Sequence, residues 1–112
     1  MRNDAAKRTG SFSSTVVKKA LMIPEGRVTT YGRIARAAGA GPQAARSVTA
    51  ILGKAYDAGE TRIPFHRIVY ADGTAWLGDG DGRERRKRYA REGIGIDERG
   101  KVVGFRDLLF EF

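Results

Sequence analysis

Val16, Val17, Ala20, Leu21 and Ile23 recur at the spacing of one helix face, and Ser11 or Ser13 stands where an N-cap belongs. Pro24-Glu25-Gly26 ends that helix, and Arg27-Val28-Thr29 behind it is short and β-leaning. Thr29 or Thr30 then caps a second helix, Tyr31 to Ala38, with Ile34 and Ala37 inward. Gly39-Ala40-Gly41 reads as a turn. Pro42 opens a third helix, where its fixed φ suits and its missing N–H is not needed. That helix is expected to run to about Leu52, with Ala45, Val48, Ile51 and Leu52 on one face. Two helices joined by a short glycine turn make a helix-turn-helix candidate.

Beyond it, Gly53 to Arg62 is a polar connection and Ile63 to Tyr70 an apolar block in which Pro64 bars a continuous helix. Arg67 to Tyr70 is strand-like and Ala71-Asp72-Gly73-Thr74 is a turn, so a small hairpin or wing is expected. Gly78 to Gly82 reads as a flexible surface loop, and Arg83 to about Glu92 as a helix ended by Gly93. A second turn falls at Asp97-Glu98-Arg99-Gly100, and the apolar tail from Val102 to Phe112 is expected to pack back on the body. The fold class is therefore mainly α with a small β-hairpin or wing, resembling a winged helix-turn-helix. Residues 1–11, without periodicity, form a disordered basic tail; 12–96 form the domain and 97–112 an extension packed on it.

Charge turns this outline towards a partner. Lys and Arg total 21 against 13 Asp and Glu, a formal +8 on 112 residues, with a sequence pI near 10.3. That excess points to a polyanion. A hydrophobic fraction of 41% supports a folded core, while no apolar stretch approaches the roughly 20 residues that span a bilayer, so no membrane partner is expected. With no cysteine, the chain has no disulfide, no thiolate nucleophile and no Cys-ligated metal. A single His66 makes a histidine-built metal site improbable, so neither a metal nor a cofactor is expected. The N-terminal residues show no apolar signal segment, so a cytoplasmic location is expected, nucleoid-associated if the partner is DNA.

Four constellations invite chemistry. The glycine-rich run at 78–82 fails as an EF-hand, since the twelfth position from Asp79 is Ala90, and as a P-loop, since no Gly-Lys-Ser/Thr follows. The basic run from Arg83 to Arg91 spreads around most of a helix, leaving both a solvated helix and direct phosphate contact open. His66 lacks a serine in a nucleophile-elbow context, which favours a structural hydrogen-bonding role over a hydrolytic one. Arg46 is the sharper feature. It follows Ala44 and Ala45, with Gln43 the one polar side chain before it and Ser47 after it. Such a bare helix turn suits close approach to a minor groove about 6 Å wide.

Ile23-Pro24-Glu25-Gly26-Arg27-Val28-Thr29-Thr30-Tyr31-Gly32-Arg33-Ile34-Ala35 and Gly41-Pro42-Gln43-Ala44-Ala45-Arg46-Ser47-Val48 together resemble the DNA-binding domain of O6-alkylguanine-DNA alkyltransferases. Ile63-Pro64-Phe65-His66-Arg67-Ile68-Val69 is similar to that family's Pro-Cys-His-Arg-Val string, with Phe65 where the reactive cysteine stands. The likeness spans roughly residues 12–96. Lacking the thiol, the chain resembles the cysteine-less alkyltransferase-like branch, whose usual residue at position 65 is Trp. The resemblance implies a non-enzymatic, monomeric sensor that binds O6-alkylguanine in double-stranded DNA through the minor groove and flags it for nucleotide excision repair proteins. It implies that Tyr31 presses on the phosphate beside the lesion, Ala44 and Ala45 approach the groove, and Arg46 fills the stack. It also implies that Phe65, Ile68, Val69, Trp76, Gly78 and Asp79 form the lesion pocket, with Pro64, His66, Arg67 and Glu92 in structural roles. Two rivals remain: a helix-turn-helix transcription regulator reading unmodified DNA, and a residual hydrolase using His66 and Glu92.

Overall fold

The computed structural model describes residues 2–78 and 82–112, which fall into two compact units. One holds the residues up to Met22, Tyr31–Ile63 and Phe112; the other holds Ile23–Thr30 and Pro64–Glu111. Asp79 and the centre of the Gly78–Gly82 loop lie outside the described residues. Among the described residues, no helix is long and apolar enough to cross a membrane.

The first unit is helical. Helix α1 spans Arg2–Leu21, so it opens well before the expected cap at Ser11 or Ser13 and runs through the expected tail. Ala5-Ala6-Lys7-Arg8 are strong helix formers and no proline precedes Pro24, so propensity extends the helix beyond its apolar stripe. Helix α2 spans Tyr31–Ala37. It closes through Gly39 at φ +95, where the Gly39 amide reaches Arg36 O and the Ala40 amide reaches Ala35 O. This left-handed step satisfies the last carbonyls and turns the chain sharply. Pro42–Ala44 then form one 3-10 turn before helix α3, Ala45–Asp57.

Helix α3 runs five residues past the expected end at Leu52. Gly53 costs a helix interior about 1 kcal/mol relative to alanine, but fully buried Leu52 and half-buried Ala55 on either side hold the helix through it. The three helices pack on one another, and Val16, Ala20, Ile34, Ala35, Val48 and Leu52 are all fully buried.

The second unit carries the sheet. Strand β1 (Thr29–Thr30) pairs in parallel with β2 (Ile68–Val69), Thr29 opposite Ile68 and Thr30 opposite Val69. The expected hairpin is thus replaced by a parallel pair. The turn itself forms, with the Gly73 amide on Tyr70 O and the Thr74 amide on Asp72 Oδ1, both at 2.9 Å. Thr74 then bridges Lys101 in antiparallel fashion and does not return along β2. Ile68 and Val69 are 4% and 1% exposed, so both faces of β2 are covered, which suits an interior parallel strand better than a one-faced hairpin.

Helix α4 (Arg83–Arg91) and the short α5 (Phe105–Leu108) complete the unit. Its core gathers Val28, Val69, Ala75, Tyr89, Ile94 and Val102. The Asp97–Gly100 turn closes with the Gly100 amide on Asp97 O, and Ile96 bridges Val102. The C-terminal segment is fastened to Val28, whose amide donates to Leu108 O and whose carbonyl accepts from Phe110 N–H. Arg27 adds a second fastening, Nε to Leu108 O at 3.1 Å and Nη2 to Leu109 O at 2.9 Å.

Candidate nucleic-acid interface

In the first unit, α2, the glycine turn and α3 present the residues expected at DNA. Tyr31 begins α2 half-buried, with Arg33 and Arg36 exposed beyond it. Gln43 is exposed and its side chain lies over Gly41, a position that a Cβ on residue 41 would occupy. Ala44 and Ala45 are half-buried at the start of α3, while Arg46 and Ser47 are exposed. Val48 and Leu52 fix the opposite face in the interior. The exposed stripe therefore runs Gln43, Arg46, Ser47, Ala50 and Lys54, at helical spacing i, i+3, i+4, i+7 and i+11. Ala50 and Lys54 belong to this stripe; Lys54 was missed because the helix was expected to stop at Leu52, and Ala50 because only the first turn of the helix was read as the groove face. The same four-residue spacing continued two turns would have found them. The Arg46 side chain makes no hydrogen bond or ion pair with another described residue, and Ala45 and Ser47 flank it.

The motif Pro64-Phe65-His66-Arg67 sits in the second unit on one 3-10 turn, Phe65–Arg67, closed by the Arg67 amide on Pro64 O. His66 and Arg67 both turn to Glu92, which caps the C-terminus of α4. His66 Nε2 lies 2.6 Å from Glu92 Oε2, and Arg67 Nη2 donates to the same oxygen at 2.7 Å. Arg67 Nε donates to Oε1 at 3.0 Å, and the Gly26 amide reaches Oε1 at 3.0 Å. Arg67 Nη1 is spent on Ile23 O at 2.9 Å. One carboxylate thus ties together the Ile23–Gly26 turn, the 3-10 turn and the end of α4.

Electrostatics follow from this packing. Burial acts to raise the Glu92 carboxyl, but hydrogen bonds from Arg67, His66 and the Gly26 amide outweigh it and hold it at about 2, below the ordinary 4.5. Burial likewise pushes His66 below its ordinary 6.5, against the opposing pull of Glu92. At neutral pH His66 is uncharged and its Nε2–H donates to Glu92. Its Nδ1 is buried without a hydrogen-bond partner among the described residues, and Tyr89 meets the ring edge-on at 6.1 Å. The trio has a base and an oriented acid but no nucleophile, because the neighbouring position is the hydrocarbon Phe65. Pro64 is buried and completes the turn.

The expected pocket residues divide. Phe65 and Gly78 are half-buried and Trp76 is 51% exposed, so these three can meet a ligand. The side chains of Ile68 and Val69 belong to the core, which corrects their expected place as apolar pocket walls. Both faces of β2 are occupied by the protein itself. The cations of helix α4 lie on different faces. Arg83, Arg86, Lys87 and Ala90 line an open groove of about 390 Å³. Arg88 and Arg91 line a second of about 330 Å³ with Glu25, His66 and Glu92. Arg85 turns to Trp76. Among the described residues, no group of three or more His, Asp or Glu could hold a metal ion.

A helix-turn-helix with a bare recognition face, followed by Pro-x-His-Arg locked onto a distant glutamate, defines the class. The chain belongs to the family of the 6-O-methylguanine DNA methyltransferase DNA-binding domain, which its residues 11–94 match. It is 36% identical over 101 residues to the DNA base-flipping protein of Escherichia coli K12, covering 90% of this chain and 76% of that one. It is 33% identical over 90 residues to Alkyltransferase-like protein 1 of Schizosaccharomyces pombe, covering 80% and 81%. The fold superposes on S. pombe Atl1 in complex with damaged DNA containing O6-carboxymethylguanine, with a TM-score of 0.68 and 28% identity over 90% of this chain and 95% of that one. A second structure of the S. pombe protein with DNA gives 0.69 at the same identity and coverage.

Proposed function

We propose that this protein is a non-enzymatic, monomeric sensor of O6-alkylguanine in duplex DNA. The observation that carries the reading is the intact His66–Glu92–Arg67 lock around a position filled by Phe65, in a chain with no cysteine. The binding scaffold is kept and the alkyl acceptor is gone. Neither methionine substitutes, because a thioether has no proton to lose and neither Met1 nor Met22 belongs to the motif.

In this reading the Gln43–Lys54 stripe of α3 enters the minor groove, where Ala44, Ala45, Ser47 and Ala50 allow close approach. Arg46 occupies the space in the base stack left by the extruded nucleotide, and Tyr31 bears on the adjacent phosphate. The extruded base meets Phe65, Trp76 and the Gly78 loop. Extrusion costs a few kcal/mol, less for a base whose pairing alkylation has already weakened. Contact with an aromatic side chain returns about 1–3 kcal/mol, and each buried CH₂ of the adduct adds about 0.8 kcal/mol. The names of the relatives support this class, and the +8 charge supports a polyanionic partner. The sensor acts in the cytoplasm at the nucleoid and hands the marked site to nucleotide excision repair proteins.

The test pairs two duplexes that differ by one O6-methyl group. The expected result is tighter binding of the methylated duplex, with the protein mass and the lesion unchanged after incubation. Equal affinity for both duplexes overturns the reading. Preference for one unmodified sequence would instead establish the transcription regulator that a helix-turn-helix also suits, and a dealkylated product would establish an enzyme.

A further inference from the structure

We propose that the groove between α1 and α3 is a docking site for an acidic amphipathic helix of a partner protein. The proposal goes beyond the sensor reading and does not depend on it, since none of the groove's apolar residues belongs to the stripe that faces DNA. The groove has a volume of about 630 Å³, against about 390 and 330 Å³ for the two that α4 lines. Every residue lining it lies in the first unit.

Helical spacing orders its floor. On α1, Ser13, Val17 and Leu21 follow one another at i, i+4 and i+8, and on α3 Ile51 and Ala55 stand at i and i+4. All five are only half-buried, although the two helices already pack on each other. Ile51 and Ala55 are part neither of the core contact, which Val48 and Leu52 make, nor of the exposed stripe that ends at Lys54. Residues four apart form a ridge along a helix surface. Two such ridges therefore flank one furrow, the shape into which a third helix lays a ridge of its own.

The rim selects the kind of helix. Lys18 on α1 and Lys54 on α3 stand exposed at the edges, one on each wall, and neither forms an ion pair with another described residue. Lys54 also ends the stripe described above, so Lys18 is the rim cation that serves the groove alone. Glu60, the acid at this site, is already held by Arg62, Nε to Oε2 at 2.9 Å and Nη2 to Oε1 at 3.2 Å. Uncompensated positive charge thus borders an aliphatic floor on both sides. A helix with aliphatic side chains on one face and carboxylates beside them matches both features. A nucleic acid matches the lysines but not the floor, whose described residues offer no aromatic ring for a base to stack on. A second copy of the chain brings +8 of like charge to the same rim.

The probe is a synthetic helical peptide of about 18 residues, with leucines at i, i+3, i+4 and i+7 flanked by glutamates. A lysine-flanked peptide of the same leucine spacing and a scrambled glutamate peptide are the controls. The glutamate peptide should shift the amide resonances of residues 13–21 and 51–55, and the controls should not. Leu21→Ala should weaken the glutamate peptide about tenfold and leave affinity for the methylated duplex unchanged. Lys18→Glu should weaken it about fivefold and let the lysine-flanked peptide bind, a reversal that a change in stability alone does not produce. Thermal unfolding checks that both variants fold. No shift with the glutamate peptide, equal binding of the scrambled one, or shifts confined to other residues overturns the proposal. Resonances of the groove that move only with added DNA make it a nucleic-acid surface, and ones that move with protein concentration make it a self-interface. Either result overturns the acidic-helix assignment and leaves the sensor reading standing. A protein that binds the glutamate peptide as expected but does not prefer the methylated duplex keeps the groove and loses the sensor reading.

Discussion

His66 Nε2 and Glu92 Oε2 stand 2.6 Å apart, joining a 3-10 turn to the end of a helix 26 residues further along the chain. Both groups titrate in the acid range, and the sign is the same for each. His66 has a folded pKa below 6.5, so the unfolded chain takes up its proton first and stability declines as pH falls from about 6.5 through the folded value. Glu92 has a folded pKa of about 2 against 4.5, so its contribution is complete above about 4.5 and is lost as pH falls towards 2. Urea unfolding between pH 7 and pH 2 should show a continuous fall. Glu92→Gln should remove the lower part of it and destabilise the protein at pH 7 by about 3 kcal/mol, since it leaves Arg67 without its buried carboxylate. An unchanged acid profile in this variant would remove Glu92 from the account.

Arg46 projects from α3 between small neighbours, whereas Arg33 lies on the exposed side of α2. Arg46→Ala should weaken binding to the O6-methylguanine duplex by about tenfold or more, on the order of 1.4 kcal/mol. Arg33→Ala should act as a single phosphate contact, with a smaller and salt-sensitive loss. Fluorescence anisotropy at two salt concentrations separates them; equal losses would remove the stack-filling role.

Arg86 and Lys87 face the open groove of α4. If that face meets phosphate, the double variant Arg86→Ala, Lys87→Ala should lower the slope of log affinity against log salt by about 1–2, while the ratio between methylated and normal duplexes stays the same. A slope identical to the wild type would make the face a solvated surface.

Arg27 holds two consecutive carbonyls of the C-terminal segment with one planar fork. Arg27→Ala should destabilise the protein by about 1–2 kcal/mol, and Arg27→Lys should recover only part of that, since an ammonium does not reproduce the paired geometry. Denaturant midpoints measure both.

The helices were legible in the sequence wherever an apolar stripe met a chemical stop. Tyr31–Ala37 ends at Gly39 and Arg83–Arg91 at Gly93, both within a residue of expectation. Gly53 misled because its local penalty is smaller than the burial of Leu52 beside it. The β2 pairing was not legible, because its partner Thr29–Thr30 lies far upstream and periodicity carries no information about which segment a strand finds. At the site, the Pro64–Arg67 motif and Glu92 could be picked out through the family resemblance. The Gly26 amide on Glu92 and the Arg85 contact with Trp76 could not, since both arise only once separate segments fold together.

The clasp on Val28 carries a consequence for how the molecule is made. Arg27 and its carbonyl partners are 81 and 82 residues apart in sequence, and the whole of 31–63 intervenes as part of the other unit. Contacts of such range close large loops and form late, whereas helical neighbours assemble quickly. The second unit is therefore the slow step of folding, and a chain halted before Leu108 emerges would expose an unpaired Val28 edge to proteases and to other copies of itself.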